Sequence, residues 1–286
     1  MYRESRIRQS ELFQILILDC LYAFSGTGEV FFEGGTALRW VYGGSRFSED
    51  LDFVTPLPID KIESWFGKLT GRLEKVSIAQ FGPGTLTARP KASRSSAFKA
   101  FYVYQPRNQR ERIAVKVEFE KLAGGDLPES RPYVLRDLPQ ITALLASGTL
   151  LLPYSSSVMM AETPEEILSD KVRALFERPY LKGRDVYDVW WLTAQMGIRC
   201  SWQRVQRKLN LYRAAFKPAR AVDFFQKEEA GAVIDEALRK DLPRFIPHQI
   251  LAVYQQDDFG PFIEAVRCLT GDLVAQGMVF EGGSKG

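Results

Sequence analysis

Residues 31–53 read FFEGGTALRWVYGGSRFSEDLDF. The apolar run 30–32 reads as a short buried strand, ended by Gly34 and Gly35. Thr36 opens a short helix, 36–42, with Leu38, Val41 and Tyr42 on its apolar face. The glycines of GGSRFS break that helix, and 49–55 reads as a second strand. Alternation puts Asp50 and Asp52 on one face and Leu51 and Phe53 on the other. The two carboxylates then stand about 7 Å apart along the backbone. Acids so placed can converge on one cation, because magnesium takes a couple of carboxylates plus waters and substrate phosphates.

The flanking sequence supplies a frame for this pair. A helix is expected at 10–24, capped by Ser10, with Leu12, Phe13, Leu16, Ile17 and Leu21 at core spacing. A second is expected at 60–73, with Ile62, Trp65, Phe66 and Leu69 on one face. From 76 to 121 the period becomes two: SIAQF, TLTARP, AFKAFYVYQ and RIAVKVEFE read as strands, and QPRNQRE as a hairpin loop. In RIAVKVEFE the apolar Ile113, Val115, Val117 and Phe119 share one face, and Lys116 and Glu118 the other. Glu118 is therefore a third strand-borne carboxylate, and Lys116 reads as its ion-pair partner. Three acids together would repel and one would take up a proton. With metal ions and a nucleoside triphosphate, the same cluster supports phosphoryl or nucleotidyl transfer. Gly34 and Gly35 let the backbone approach a triphosphate, and the N–H groups at the helix start can hold its oxygens. No Gly-Lys-Ser/Thr follows, which excludes a Walker loop.

Beyond residue 160 the periodicity becomes helical. Thr163 reads as a cap, Pro164 fits a first turn and Glu166 completes a capping box, for a helix to about 178. RPYLKG is a turn, and RDVYDVWWLTAQM is the next helix, with Asp185 and Asp188 three apart on one face. Further helices follow, and 281–286 reads as a disordered tail. Two domains are expected, 1–160 and 161–280.

Composition narrows the chemistry. Of 286 residues, 45% are hydrophobic and 26% charged, the profile of a soluble globular protein. No apolar run approaches the ~20 residues that cross a bilayer. The N-terminus has no signal-peptide pattern, so a cytoplasmic protein with no membrane partner is expected. Three dispersed cysteines fit a reducing compartment. The sole histidine, His248, disfavours His-based metal sites and Ser-His-Asp catalysis. Catalysis is then expected to rest on carboxylates and lysine. A net charge of +3 permits a polyanionic partner. The most basic stretch carries Arg89, Lys91, Arg94, Lys99, Arg107, Arg110 and Arg112 among Phe98, Phe101, Tyr102 and Tyr104. The aromatics read as core; the cations are open between solvated charges and an RNA backbone track.

Gly34-Gly35-Thr36 followed by RFSEDLDF resembles the first motif of the AbiEii family of nucleotidyltransferase toxins. EEILSDKVRALFER resembles the second, a helix carrying a lysine, here Lys171. KGRDVYDVWWL resembles the third, with Arg184, Asp185 and Asp188. The family usually has Glu before the motif-two lysine, where Asp170 stands here and keeps the charge. The resemblance implies an α+β chain: a polymerase-β-like nucleotidyltransferase core with a mixed sheet, then a C-terminal helical domain. It implies NTP and Mg²⁺ chemistry, nucleotide addition to an RNA acceptor such as tRNA, and a cognate antitoxin. With the strand reading beside the resemblance, Asp50, Asp52 and Glu118 are expected as metal ligands, and Gly34, Gly35, Thr36, Arg46, Ser48, Lys171 and Arg184 as NTP contacts, Ser48 being equally open as a strand-start cap. Arg46 is equally read as a partner of Asp50. Asp185 and Asp188 either position Lys171 and Arg184, or one acts as general base. Alternative acceptors are a small molecule or a protein hydroxyl, and the alternative class is a nucleotide- or RNA-binding module without turnover.

Overall fold

The computed structural model describes residues 4–94, 96–154 and 157–280, without the side chains of 92–94. The expected disordered tail at 281–286 and the side chain of Arg94 lie outside the described residues. The described residues divide into two units, one ending at Glu162 and the other beginning at Thr163.

The first unit begins with α1 (Glu4–Tyr22), longer at its start than expected. Ser10 is inside the helix and buried rather than capping it. Phe13, Ile15, Leu16, Ile17 and Leu18 are all fully buried, so α1 is enclosed around its circumference. Then come β1 (Phe31–Glu33), α2 (Gly34–Val41) and β2 (Asp50–Thr55). Gly34 and Gly35 are thus the first turn of α2, and Glu33 the last strand residue. Next is α3 (Ile59–Phe81), which absorbs SIAQF, a segment expected as a strand. Its buried stripe Ile62, Trp65, Leu69, Leu73 and Ser77 keeps the helical period past the expected end. Phe81 then meets Phe13 and Tyr104, with ring centroids 6.1 and 5.8 Å apart. Gly82, at φ +82°, ends the helix.

The rest of this unit is β3 (Gly84–Arg94), β4 (Ala97–Pro106), β5 (Ile113–Lys121), β6 (Ser130–Val134), α4 (Pro139–Ala146) and β7 (Val158–Glu162). The strands form one sheet in the order β3-β4-β5-β2-β1-β7-β6. The β2/β5 and β1/β7 pairs are parallel and the others antiparallel, which makes the sheet mixed. β4 alternates strictly: Phe98, Ala100, Tyr102 and Tyr104 are buried, and Lys99, Phe101, Val103 and Gln105 half-buried. Phe66 of α3 packs on Phe98 and Tyr102, so the buried set faces the helices and the other set faces away.

The second unit is helical: α5 (Pro164–Glu177), α6 (Gly183–Trp190), α7 (Trp202–Leu211), α8 (Glu229–Asp241), α9 (His248–Gln256) and α10 (Gly260–Ala275). A π-turn, Trp191–Gln195, continues α6. Thr163 caps α5, accepting from Glu166 N at 3.3 Å. The Glu166 carboxylate turns instead to α7, where Arg207 and Lys208 bind it at 2.8 and 3.4 Å. Gly183 lets α6 start against α8: a Cβ there would lie 2.8 Å from Leu238 Cα. His248 is exposed at the start of α9. Among the described residues, no helix is long and apolar enough to cross a membrane.

Candidate active site

Sheet register assembles the acids. Asp52 of β2 sits opposite Glu33 of antiparallel β1 and opposite Glu118 of parallel β5. Directly paired residues project to the same face, so Glu33, Asp52 and Glu118 form one row across three strands. Asp50 lies two residues back on the same face, level with Lys116. The four carboxylates thus belong to a single polar face, opposite the one on which Leu51 and Phe53 are buried.

Lysines balance one end of this row. Glu118 accepts from both Lys99 and Lys116, one ammonium on each oxygen. Lys116 also reaches Asp50 at 3.1 Å. Burial works against the Glu118 charge, but the two lysines outweigh it and hold the carboxyl below its ordinary pKa. Burial likewise opposes the Lys116 charge, and the bonds to Glu118 and Asp50 reverse it, raising the lysine. The ion pair expected between Lys116 and Glu118 is formed. A metal ion at Glu118 would share its oxygens with these lysines.

At the other end the row meets the N-terminus of α2. Gly34 has φ +74°, and a Cβ there would lie 3.4 Å from Asp52 Oδ2, so the carboxylate lies over the first turn. Gly35 touches the guanidinium of Arg46, and its missing Cβ would stand 3.1 Å from Ser48 Oγ. Arg46 is buried and donates to the Phe47 carbonyl at 2.8 Å. The Thr36 hydroxyl donates to the Asp50 carbonyl, tying α2 to the start of β2. Gln14 of α1 braces the same loop, donating to the Ser48 carbonyl at 2.6 Å while accepting from Trp40 Nε1 at 3.2 Å. Gly34, Gly35, Thr36, Arg46, Ser48, Asp50 and Asp52 therefore come together around one helix start.

Two further acids were not singled out from the sequence. Glu33 was hidden because a strand of three residues gives too little alternation to read its face. Glu162 ends β7, beside β1, and its carboxylate oxygen lies within 4.8 Å of one from Glu33. The usable signal was that each acid ends an apolar strand immediately before a helix start, Gly34 in one case and the capped Pro164 in the other. The donor set on this face is all hard oxygen, which fits a divalent cation such as magnesium.

In the helical unit, Lys171 on α5 is buried between two aspartates of α6, 3.2 Å from Asp185 Oδ1 and 2.8 Å from Asp188 Oδ2. Asp185 also binds Arg178 at 2.8 Å. Burial alone would raise the Asp185 pKa, but the charges of Lys171, Arg178 and Arg184 hold it well below the usual carboxylate range. Arg184 lies over the Phe245 ring at 5.6 Å. Both aspartates thus bind the Lys171 ammonium. Asp170 faces α7, taking Lys208 at 2.9 Å and the Tyr212 hydroxyl at 2.6 Å.

The profile of the family described as nucleotidyl transferase AbiEii toxin, type IV TA system, matches residues 16–260. In fold the chain is similar to JHP933 from Helicobacter pylori, with a TM-score of 0.51, 18% identity, and 96% of each chain covered. It is also similar to another solved structure from H. pylori, described provisionally as that of a nucleotidyltransferase. There the TM-score is 0.54 at 18% identity, covering 97% of this chain and 100% of that one. No curated protein matches.

Proposed function

The chain belongs to the AbiEii family of nucleotidyltransferase toxins of toxin–antitoxin systems, and from that premise we propose that it moves a nucleotide from an NTP to an RNA acceptor, with tRNA the expected one. In this reading the first unit is the nucleotidyltransferase core and the second the helical domain that carries Lys171 and the Arg184-Asp185 motif. A cognate antitoxin neutralises the activity. The observation that carries the reading is the row Glu33–Asp52–Glu118 with Asp50 on the same face, set against the N-terminus of α2.

Asp50 and Asp52 would hold Mg²⁺, with Glu33 beside them and Glu118 in reserve behind its lysines. Bound there, the ion would supply neutralisation of triphosphate charge. The chain's own groups do the rest. Backbone N–H groups of Gly34, Gly35 and Thr36 bind phosphate oxygens at the positive end of the helix. Arg46 and Ser48, pressed against Gly35, shape that cradle and add donors. Lys171 is offered as a phosphate cation, oriented by Asp185 and Asp188. Arg184 adds charge beside them.

The test is incubation of the protein with each α-labelled NTP, Mg²⁺ and total RNA. Label in RNA, concentrated in the tRNA fraction, is expected. Label confined to protein or a small molecule would reassign the acceptor, and binding of NTP without transfer would reject the enzymatic reading.

A further inference from the structure

Charge is unevenly distributed along this chain. Residues 75–110 hold Lys75, Arg89, Lys91, Arg94, Lys99, Arg107 and Arg110 and no acid, a formal +7 against +3 for the whole chain. The rest therefore sums to −4. This acid-free stretch is the last turns of α3, the β3–β4 hairpin and the loop towards β5.

The register turns the stretch into a surface. Level with Asp50 of β2, the paired residues are Lys116 on β5, Phe101 on β4 and Arg89 on β3. That row runs carboxylate, cation, ring, cation, over about 14 Å at ordinary strand spacing. Lys91 lies over the Phe101 ring at 5.6 Å. The neighbouring row carries Val103 and the exposed Thr87 and Ala114. Gln105 and the exposed Thr85 come next, and Arg107, Arg110 and Arg112 are exposed on the adjoining loop. Lys99 is on this face as well, with Glu118 as its neighbour. Among the described residues of this unit, α1 and α3 pack on β3, β4 and β5, and Phe66 places α3 on the opposite face.

We propose that this open face of β3–β4–β5 is a docking track for a single-stranded RNA end, with Phe101 stacking a base between phosphate contacts made by Arg89, Lys91 and the loop arginines. The inference rests on the reading of the acceptor as RNA. A cation–ring–cation row suits a polynucleotide, whose phosphates and bases alternate in the same way. An acidic protein segment would use the cations but leave the ring without a role. The track leads to Asp50, so a docked strand would present its end to the acid row.

The test uses the full chain and a labelled single-stranded RNA of about 12 nucleotides, followed by fluorescence anisotropy across a salt series. Binding of a labelled NTP is measured in parallel. Phe101→Ala and the volume-keeping Phe101→Leu should both weaken RNA binding about tenfold and leave the salt slope alone. Arg89→Glu with Lys91→Glu should weaken it further and flatten the slope by roughly 0.7 for each phosphate no longer neutralised. NTP binding should be unchanged in all of them. Wild-type RNA affinity in these variants would overturn the track while leaving the transfer reaction standing. Equal competition by a polyglutamate of matched charge would assign the face to an acidic protein and overturn it too. Transfer of label to a non-RNA acceptor, with no RNA binding by the wild type, would overturn both readings.

Discussion

Asp19 is fully buried in α1, where its carboxylate accepts from Ser157 Oγ at 3.0 Å and Tyr154 N at 3.1 Å. Burial outweighs those bonds and pushes its pKa from 3.8 to about 6. A carboxyl raised on folding contributes stability that is complete below about pH 4 and lost as pH rises through about 6, on the order of 3 kcal/mol. Urea midpoints of wild type and Asp19→Asn should diverge across that window, the variant gaining relative to wild type as pH rises; parallel profiles would show that Asp19 titrates normally. Gly35 is a second single-atom constraint. Gly35→Ala would drive a methyl into Arg46 and towards Ser48 Oγ, costing about 1–3 kcal/mol and weakening NTP affinity in a binding titration. Asp50, Asp52 and Glu118 were readable because strand alternation reveals a face. Glu33 and Glu162 were not, because only cross-strand pairing brings them beside the others.

At the scale of elements, α5 is fixed by charge on two sides: Lys171 to α6, and Glu166 and Asp170 to α7. Lys171→Met leaves two buried aspartates without their ammonium and should cost about 3–5 kcal/mol of helical-domain stability. Asp185 has its pKa lowered, so its contribution is present above the unfolded value near 3.8 and is lost as pH falls below it. Acid unfolding of Lys171→Met should accordingly be shallower than that of wild type. Thr163→Ala removes the α5 cap and should cost about 1 kcal/mol in denaturant unfolding. The cap was legible from Thr-Pro-Glu-Glu, but the destination of Glu166 was not, since Arg207 and Lys208 arrive from 41 and 42 residues later. The end of α3 lies beyond its expected bound for a related reason. SIAQF is as compatible with a strand as with a helix until its period is joined to Leu69 and Leu73.

For the whole molecule, the mixed sheet followed by helices was legible because hydrophobic period changes near residue 160 and three motifs recur in order. Strand order was not legible. The parallel β2/β5 and β1/β7 pairs bring together residues 66 and 129 positions apart, and no local pattern encodes them. Yet the β1/β2 and β2/β5 pairings convert scattered acids into one row, and the β4/β5 pairing makes the β3–β4 hairpin its basic extension. Asp52 stands at the centre of that row, paired on both sides. The most direct measurement is transfer of α-labelled nucleotide by wild type, Asp50→Ala and Asp52→Ala, at matched urea midpoints. Loss of at least about a hundredfold in each variant, with folding unchanged, is the predicted result. Transfer by either variant within a few-fold of wild type would contradict the assignment of this face as the place where the nucleotide reacts.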